Sequence, residues 1–112
     1  MINANFDLND TKIDVVVRDH AGAGERDHDL VCAGASTLTY TIIQNVHDFK
    51  QYGFFSKPPR VTTKDGYASI ICYPKKKYRE TVLDMFRTIE RGFQLLEHNF
   101  PDNVKVKSFG NA

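Results

Sequence analysis

Cys32 and His20 are the two residues of this chain whose types and spacing best suit covalent chemistry. A helix is predicted to begin near Asp29, which puts Cys32 in its first turn. Unpaired backbone N–H groups in a first helical turn lower the pKa of a thiol and favour the reactive thiolate. The same groups can stabilise an oxyanion during acyl transfer. Cys32 is therefore a candidate nucleophile, and His20 a candidate acid–base partner.

The segment from His20 to Asp29 connects these two groups and has the composition of a loop. It contains Gly22 and Gly24, several charges and no apolar periodicity. Such a segment is predicted to be flexible. It could bring the imidazole of His20 to the thiol of Cys32 and close over a bound substrate.

Small residues follow the cysteine, in the order Ala33-Gly34-Ala35-Ser36. They leave room for the backbone of a substrate to approach Cys32. Ser36 comes four residues after the cysteine, so it is predicted to share the same helix face one turn further on.

Other interpretations of these residues stay open at this point. Cys32 can be a small packed residue, and His20 can be a solvated loop residue. His28, Cys32 and His20 can also form part of a zinc site, although their spacing is irregular and no CxxC or HxxxH pair accompanies them.

Length and composition favour a single globular domain over residues 1–112. Of the 112 residues, 41% are hydrophobic and 26% are charged, as in ordinary soluble domains. No stretch is long and apolar enough to cross a membrane, and the N-terminus does not resemble a secretory signal. Two cysteines make no disulfide framework. We therefore expect a cytoplasmic protein.

Basic residues concentrate in the second half of the chain. Up to Tyr52 there are four Lys and Arg against eight Asp and Glu, and after it eleven against six. The second half includes the run Lys75-Lys76-Lys77 and the basic tail with Lys105 and Lys107. This pattern fits either a solvated basic face or contact with an acidic partner such as RNA or a ribosome.

The hydrophobic pattern predicts an α+β fold with the order β-β-α-β-β-α-β. The sheet should be mainly antiparallel, with two packed helices on one or both faces. The strand from Tyr67 to Tyr73 should be central because it is apolar on both faces. The predicted elements are a hairpin of Ile2 to Leu8 and Ile13 to Arg18, a helix from Asp29 to about Tyr52, a hairpin of Arg60 to Lys64 and Tyr67 to Tyr73, a helix from Tyr78 to Asn99, and a short strand with Val104 and Val106.

The segment from His20 to Ser36, HAGAGERDHDLVCAGAS, resembles the signature of the ribosomal-processing cysteine protease family (Prp). The family pairs a His-Ala, a loop with glycine and acidic residues, and an Asp-x-Val-Cys-Ala-x-x-Ser helix start. The chain length and the order of elements also fit, so the resemblance spans nearly the whole domain. One position differs, because Asp19 stands where the family usually has glycine before the histidine.

The resemblance implies a small cytoplasmic homodimeric endopeptidase that needs no cofactor. Its substrate would be the N-terminal extension of a large-subunit ribosomal protein, cleaved after paired phenylalanines. The nucleophile falls on Cys32 and the acid–base histidine on His20, with Asp29 and Ser36 as supporting residues. An apolar pocket for aromatic side chains should lie beside Cys32, and direct nucleic-acid binding is not required.

Two other functions remain alternatives to the protease. The first is a non-catalytic ribosome-associated binding module, which the basic second half favours. The second is a thiol redox protein, which requires Cys72 to lie within disulfide reach of Cys32.

Overall fold

The computed structural model describes residues 1–19 and 26–112 as a five-stranded sheet with two helices. The chain order is β-β-α-β-β-α-β, so the predicted α+β fold is confirmed. The strands are β1 (Ile2–Leu8), β2 (Ile13–Asp19), β3 (Arg60–Lys64), β4 (Tyr67–Cys72) and β5 (Val104–Phe109). The helices are α1 (Arg26–Gln51) and α2 (Arg79–Asn99), and a 3-10 turn at Lys76–Tyr78 precedes α2.

The strands lie in the order β3-β4-β2-β1-β5. Both predicted hairpins form antiparallel pairs, and β2 and β4 are also antiparallel, whereas β1 and β5 are parallel. Strand β4 lies between β3 and β2, so the prediction that it is an interior strand and not an edge strand is confirmed, whereas the middle strand of the five is β2. The reason is that β2 pairs with β1 through a local hairpin and with β4 through a long-range contact, which local patterning does not encode.

Both helices cover the same face of the sheet. Alternate strand residues, such as Phe6 on β1 and Val15 on β2, are fully buried and belong to one core cluster with residues of both helices. Phe6 meets Phe93 of α2 edge to face, with ring centroids 5.7 Å apart. On α1, Val31 and Ile42 are fully buried within the same cluster. The sheet therefore has one face packed against helices and one face without a helix among the described residues.

Gly92 lets the two helices approach closely. A Cβ atom at this position would lie only 2.7 Å from Cδ2 of Leu38 on α1. Glycine in a helix interior costs roughly 1 kcal/mol relative to alanine. Glycine is present despite that cost because Leu38 occupies the space that a larger side chain would need.

Helix α1 ends at a left-handed glycine, close to the predicted position. Gly53 has a φ of 75° and follows the helix by two residues. The N–H of Gly53 donates to the carbonyl of Lys50, and the N–H of Phe54 donates to that of Phe49. These bonds form a Schellman motif, and the stacked rings of Phe49 and Phe54 supply its usual hydrophobic contact.

Candidate active site

A cavity of about 220 Å³ lies between α1 and the sheet, and Cys32 is part of its wall. The half-buried Cys32 packs against the edge of the hydrophobic core. The helix contributes five residues of the lining at spacings of three and four, which is one face of an α-helix. These residues are Cys32, Ala35, Ser36, Thr39 and Tyr40.

Three neighbouring strands supply the opposite wall. Thr63 of β3 pairs with Ala68 of β4, which pairs in turn with Val17 of β2. All three residues line the cavity, and the turn at Asp65 and Gly66 closes one side. The turn of the predicted hairpin of β3 and β4 therefore forms a boundary of the candidate site.

The floor of the cavity is apolar and its rim is polar. Val17, Ala35 and Ala68 are buried, whereas Ser36 and Tyr40 are exposed at the surface. An apolar floor with a polar opening suits an apolar side chain attached to a polar backbone.

Thr39 is a polar residue in this otherwise apolar floor, and its hydroxyl is already satisfied. The hydroxyl donates a 2.7 Å hydrogen bond to the carbonyl of Ala35, one turn earlier in α1. Burying a hydroxyl without a partner would carry a substantial free-energy cost. This internal bond means that the floor accepts an apolar group without leaving the Thr39 donor unpaired.

Cys32 lies in the second turn of α1, not in the first turn as predicted from the sequence. The helix begins at Arg26, three residues before the expected start at Asp29. Arg26, Asp27 and His28 include no proline or glycine, so their types allow the helix to extend in the N-terminal direction. In a regular helix, the N–H of Cys32 bonds to the carbonyl four residues earlier. It is therefore not among the unpaired donors of a helix start.

The structure describes only some of the other predicted site residues. Asp29 lies in the first turn of α1, and Ser36 shares the cavity wall with Cys32. His20, Gly22 and Gly24 lie outside the described residues. Strand β2 ends at Asp19, directly before His20, and Val17 of the same strand lines the cavity.

Asp19, which replaces the glycine of the family pattern, has a backbone conformation that any residue adopts. It lies in β2 and pairs with Ile2 of β1. None of the described non-glycine residues has a positive φ. The backbone at position 19 therefore does not require glycine.

The two cysteines occupy different environments. Cys72 is fully buried at the end of β4, and burial raises the pKa of its thiol to about 12. Ala68, which lines the cavity with Cys32, precedes Cys72 by four residues, or roughly 13 Å along a strand. A disulfide joins Cα atoms only ~4.4–6.8 Å apart, so this placement argues against the thiol redox alternative.

Sequence reasoning did not find Tyr40, Thr63 or Ala68 as parts of the site. The spacing of eight residues between Cys32 and Tyr40 would have placed both on one helix face. Thr63 and Ala68 carried no such signal, because their approach to Cys32 depends on how β4 pairs with β2.

In the part of the chain that the structure describes, neither helix is both long and apolar enough to cross a membrane. Among the side chains that the structure describes, at residues 1–18 and 30–112, no group of three metal-binding residues is positioned to hold an ion. The zinc alternative involves His20 and His28, whose side chains lie outside this description.

The sequence and the fold were compared with known proteins. A family model described as cysteine protease Prp matches residues 1–105. The ribosomal processing cysteine protease Prp of Staphylococcus aureus is 25% identical over 108 residues, covering 95% of this chain and 97% of that protein.

The chain is also similar in fold to solved structures. A crystal structure from Streptococcus mutans matches with a TM-score of 0.72 and 28% identity, covering 99% of this chain and 96% of that one. The S. aureus Prp in complex with a covalently linked product peptide matches with a TM-score of 0.70 and 26% identity. That match covers 96% of this chain and 99% of the other.

Proposed function

The chain belongs to the cysteine protease Prp family, and we propose that residues 1–112 form one protease domain that processes a ribosomal protein. The single observation that carries the proposal is the position of Cys32 on the wall of a cavity with an apolar floor. The S. aureus relative is named a ribosomal processing protease and has been solved with a covalently linked product peptide. By family resemblance, the substrate is the N-terminal extension of a large-subunit ribosomal protein.

In the proposed mechanism, Cys32 is the nucleophile and His20 the acid–base group. The thiolate attacks the scissile carbonyl and forms a tetrahedral intermediate. His20 then protonates the leaving amine, and the intermediate collapses to a thioester. Water that gives up a proton to His20 hydrolyses the thioester and restores the thiol. Because Cys32 lies past the first helical turn, its activation depends mainly on His20 and less on the helix dipole, whose effect falls off within one turn.

Support for the role of His20 comes from the connectivity of the described elements. Strand β2 contributes Val17 to the cavity wall, and it ends at Asp19, one residue before His20. Helix α1 carries Cys32 on the opposite wall of the same cavity. Asp29 and Ser36 are proposed as supporting residues, with Ser36 orienting the substrate from the rim. Gly22 and Gly24 give the connecting segment the freedom to bring His20 to the thiol.

We further propose that the cavity binds the aromatic side chain that precedes the scissile bond. Val17, Ala35 and Ala68 provide an apolar floor, and the ring of Tyr40 lies at the opening. Aromatic rings gain from such surroundings through apolar burial and through contacts with other rings. This assignment fits cleavage after paired phenylalanines.

The enzyme is proposed to act as a homodimer in the cytoplasm, where ribosomal proteins are made and thiols stay reduced. It requires no metal and no organic cofactor, since the thiol and the imidazole supply all the proposed proton and acyl transfers.

The proposed function is tested by incubating the protein with a peptide that contains an Asn-Leu-Gln-Phe-Phe-like extension. Mass spectrometry should show a single cleavage after the second phenylalanine. A matched peptide with alanines in place of both phenylalanines should be cleaved at least tenfold more slowly. Binding of the first peptide without cleavage would instead favour the alternative of a non-catalytic ribosome-associated module.

A further inference from the structure

A surface with basic and aromatic residues lies at the C-terminal end of α1, next to the segment that leads into α2. The segment 52–57 pairs with the segment 73–78 through two backbone hydrogen bonds. The N–H of Ser56 donates to the carbonyl of Tyr73 at 2.8 Å, and the N–H of Lys75 donates to that of Phe54 at 2.9 Å. We call these two segments, together with Lys50, the lysine–aromatic surface.

This surface contains no acidic residue, and its nearest acidic neighbour before Lys50 is Asp48, which accepts a 3.2 Å hydrogen bond from Gln44. Residues 49–64 and 66–79 include no aspartate and no glutamate. Glu80, the next acidic residue, is paired with Arg87 at 3.3 Å. Five lysines of the lysine–aromatic surface are exposed, namely Lys50, Lys57, Lys75, Lys76 and Lys77.

Aromatic rings lie between these lysines. Phe54 stacks on Tyr78, with ring centroids 4.3 Å apart and an interplanar angle of 15°. Tyr52 lies 5.5 Å from Phe54 and is 65% exposed, so its ring is accessible to a partner. The ammonium of Lys57 lies 4.4 Å from the ring centroid of Tyr73, which places a cation directly beside an aromatic group.

The combination of clustered cations and an accessible ring fits a flexible polyanion with flat, stackable groups. Single-stranded RNA has both features, because its phosphates attract lysines and its bases stack on aromatic side chains. An acidic peptide would interact with the lysines, but its carboxylate side chains provide no flat group to stack on the ring of Tyr52. A double helix would hide its base faces from that ring. We propose that the lysine–aromatic surface binds single-stranded RNA.

The proposed RNA site is separate from the cavity beside Cys32. Gln51 at the helix end is nineteen positions after Cys32, and eleven positions after Tyr40, the last residue of α1 in the cavity wall. At ~1.5 Å per residue, these distances along the helix are about 28 Å and about 16 Å. RNA binding is therefore a second function, which leaves the cavity open to a peptide and does not depend on the protease chemistry.

The test is fluorescence anisotropy with a labelled ten-nucleotide oligouridine at several salt concentrations. Replacing Lys75, Lys76 and Lys77 by glutamine should weaken binding by at least tenfold. It should also reduce the slope of log K against log salt by about 2, since each phosphate contact contributes about 0.7 for single strands. Y52L should weaken binding roughly fivefold or more and leave the slope unchanged, because it removes a stacking ring but no charge.

A matched control is the double variant K105Q/K107Q, which removes exposed lysines from β5. It should bind oligouridine like the wild type, and thermal melting should confirm that every variant is folded. An equal loss in this control would overturn the proposal, because binding would then follow net charge alone. Equal affinity for polyglutamate would also overturn it, in favour of an acidic protein partner. Peptide cleavage should be unchanged in all these variants.

Discussion

Cys32 on α1 and Ala68 on β4 line the same cavity, although they are far apart in the sequence and lie on different elements. Ala68 is buried on the face of β4 that is covered by helices. A larger side chain at position 68 therefore projects into the space proposed for the aromatic residue of the substrate.

Ala68→Leu should raise the KM for the paired-phenylalanine peptide by roughly tenfold, because filling the pocket competes with the substrate side chain. Ser69→Leu is the matched control, since the next residue of a strand points to the opposite face. Overpacking can itself cost about 1–3 kcal/mol, so thermal melting must accompany the kinetics. Unchanged cleavage by a folded Ala68→Leu variant would place the aromatic subsite elsewhere.

The two thiols should differ strongly in their reactivity toward iodoacetamide near neutral pH. With a pKa of about 12, only a minute fraction of Cys72 is thiolate, and its side chain is fully buried. Cys32 lines a cavity that is open to solvent at its rim. Peptide mapping should show Cys32 modified at least a hundredfold faster than Cys72. Comparable labelling of both cysteines in the native protein is the contrary result, and unfolding in urea should remove the difference.

Burial of Cys72 also predicts a loss of stability at alkaline pH. Folding holds this thiol neutral, whereas an unfolded cysteine ionises near pH ~8.5. The unfolded state therefore binds fewer protons than the folded state between this value and about 12. The free energy of unfolding should fall as pH rises through this window, by up to about 1.4 kcal/mol per pH unit.

The variant Cys72→Val isolates this contribution, because tyrosines and lysines also titrate at high pH. Urea unfolding of both proteins should show that the wild type loses stability faster than the variant from pH ~8 to pH ~11. If the two pH profiles run parallel, the thiol of Cys72 does not make the predicted contribution.

Substitutions of the proposed site residues should reduce cleavage to different extents. Cys32→Ala should abolish it, and His20→Ala should reduce it by ~10²–10⁴-fold, as expected for loss of a general acid–base. Some activity remains without the histidine because a small fraction of an ordinary thiol is ionised near neutral pH. Ser36→Ala should have the mildest effect, since Ser36 lies on the rim one turn beyond the nucleophile. A larger loss in Ser36→Ala than in His20→Ala would contradict these roles.

Local sequence patterns predicted the secondary structure well. Alternating residues in β1 and the helical spacing of Val31, Ile42 and Val46 marked the buried faces, because each pattern depends on the geometry of a single element. The start of α1 was predicted three residues late. Residues 26–28 include no proline or glycine, and their charged side chains are compatible with either a loop or a helix.

The sequence predicted the arrangement of the site less completely than the secondary structure. Cys32 and Ser36 could be placed on one face because helical periodicity links them. Thr63 and Ala68 could not, since their position opposite Cys32 follows from the pairing of β2 with β4. The open question of helix placement also needed the structure, which shows both helices packed on the same face of the sheet.

The role of Cys32 as the nucleophile is tested most directly by locating a covalent substrate adduct. A peptide ending in Phe-Phe with a chloromethyl ketone at its C-terminus should react with the folded protein in a one-to-one ratio. Peptide mapping by mass spectrometry should place the added mass on Cys32, and the Cys32→Ala variant should remain unmodified. An adduct on Cys72, or modification of the Cys32→Ala variant at the wild-type rate, would contradict the assignment of Cys32.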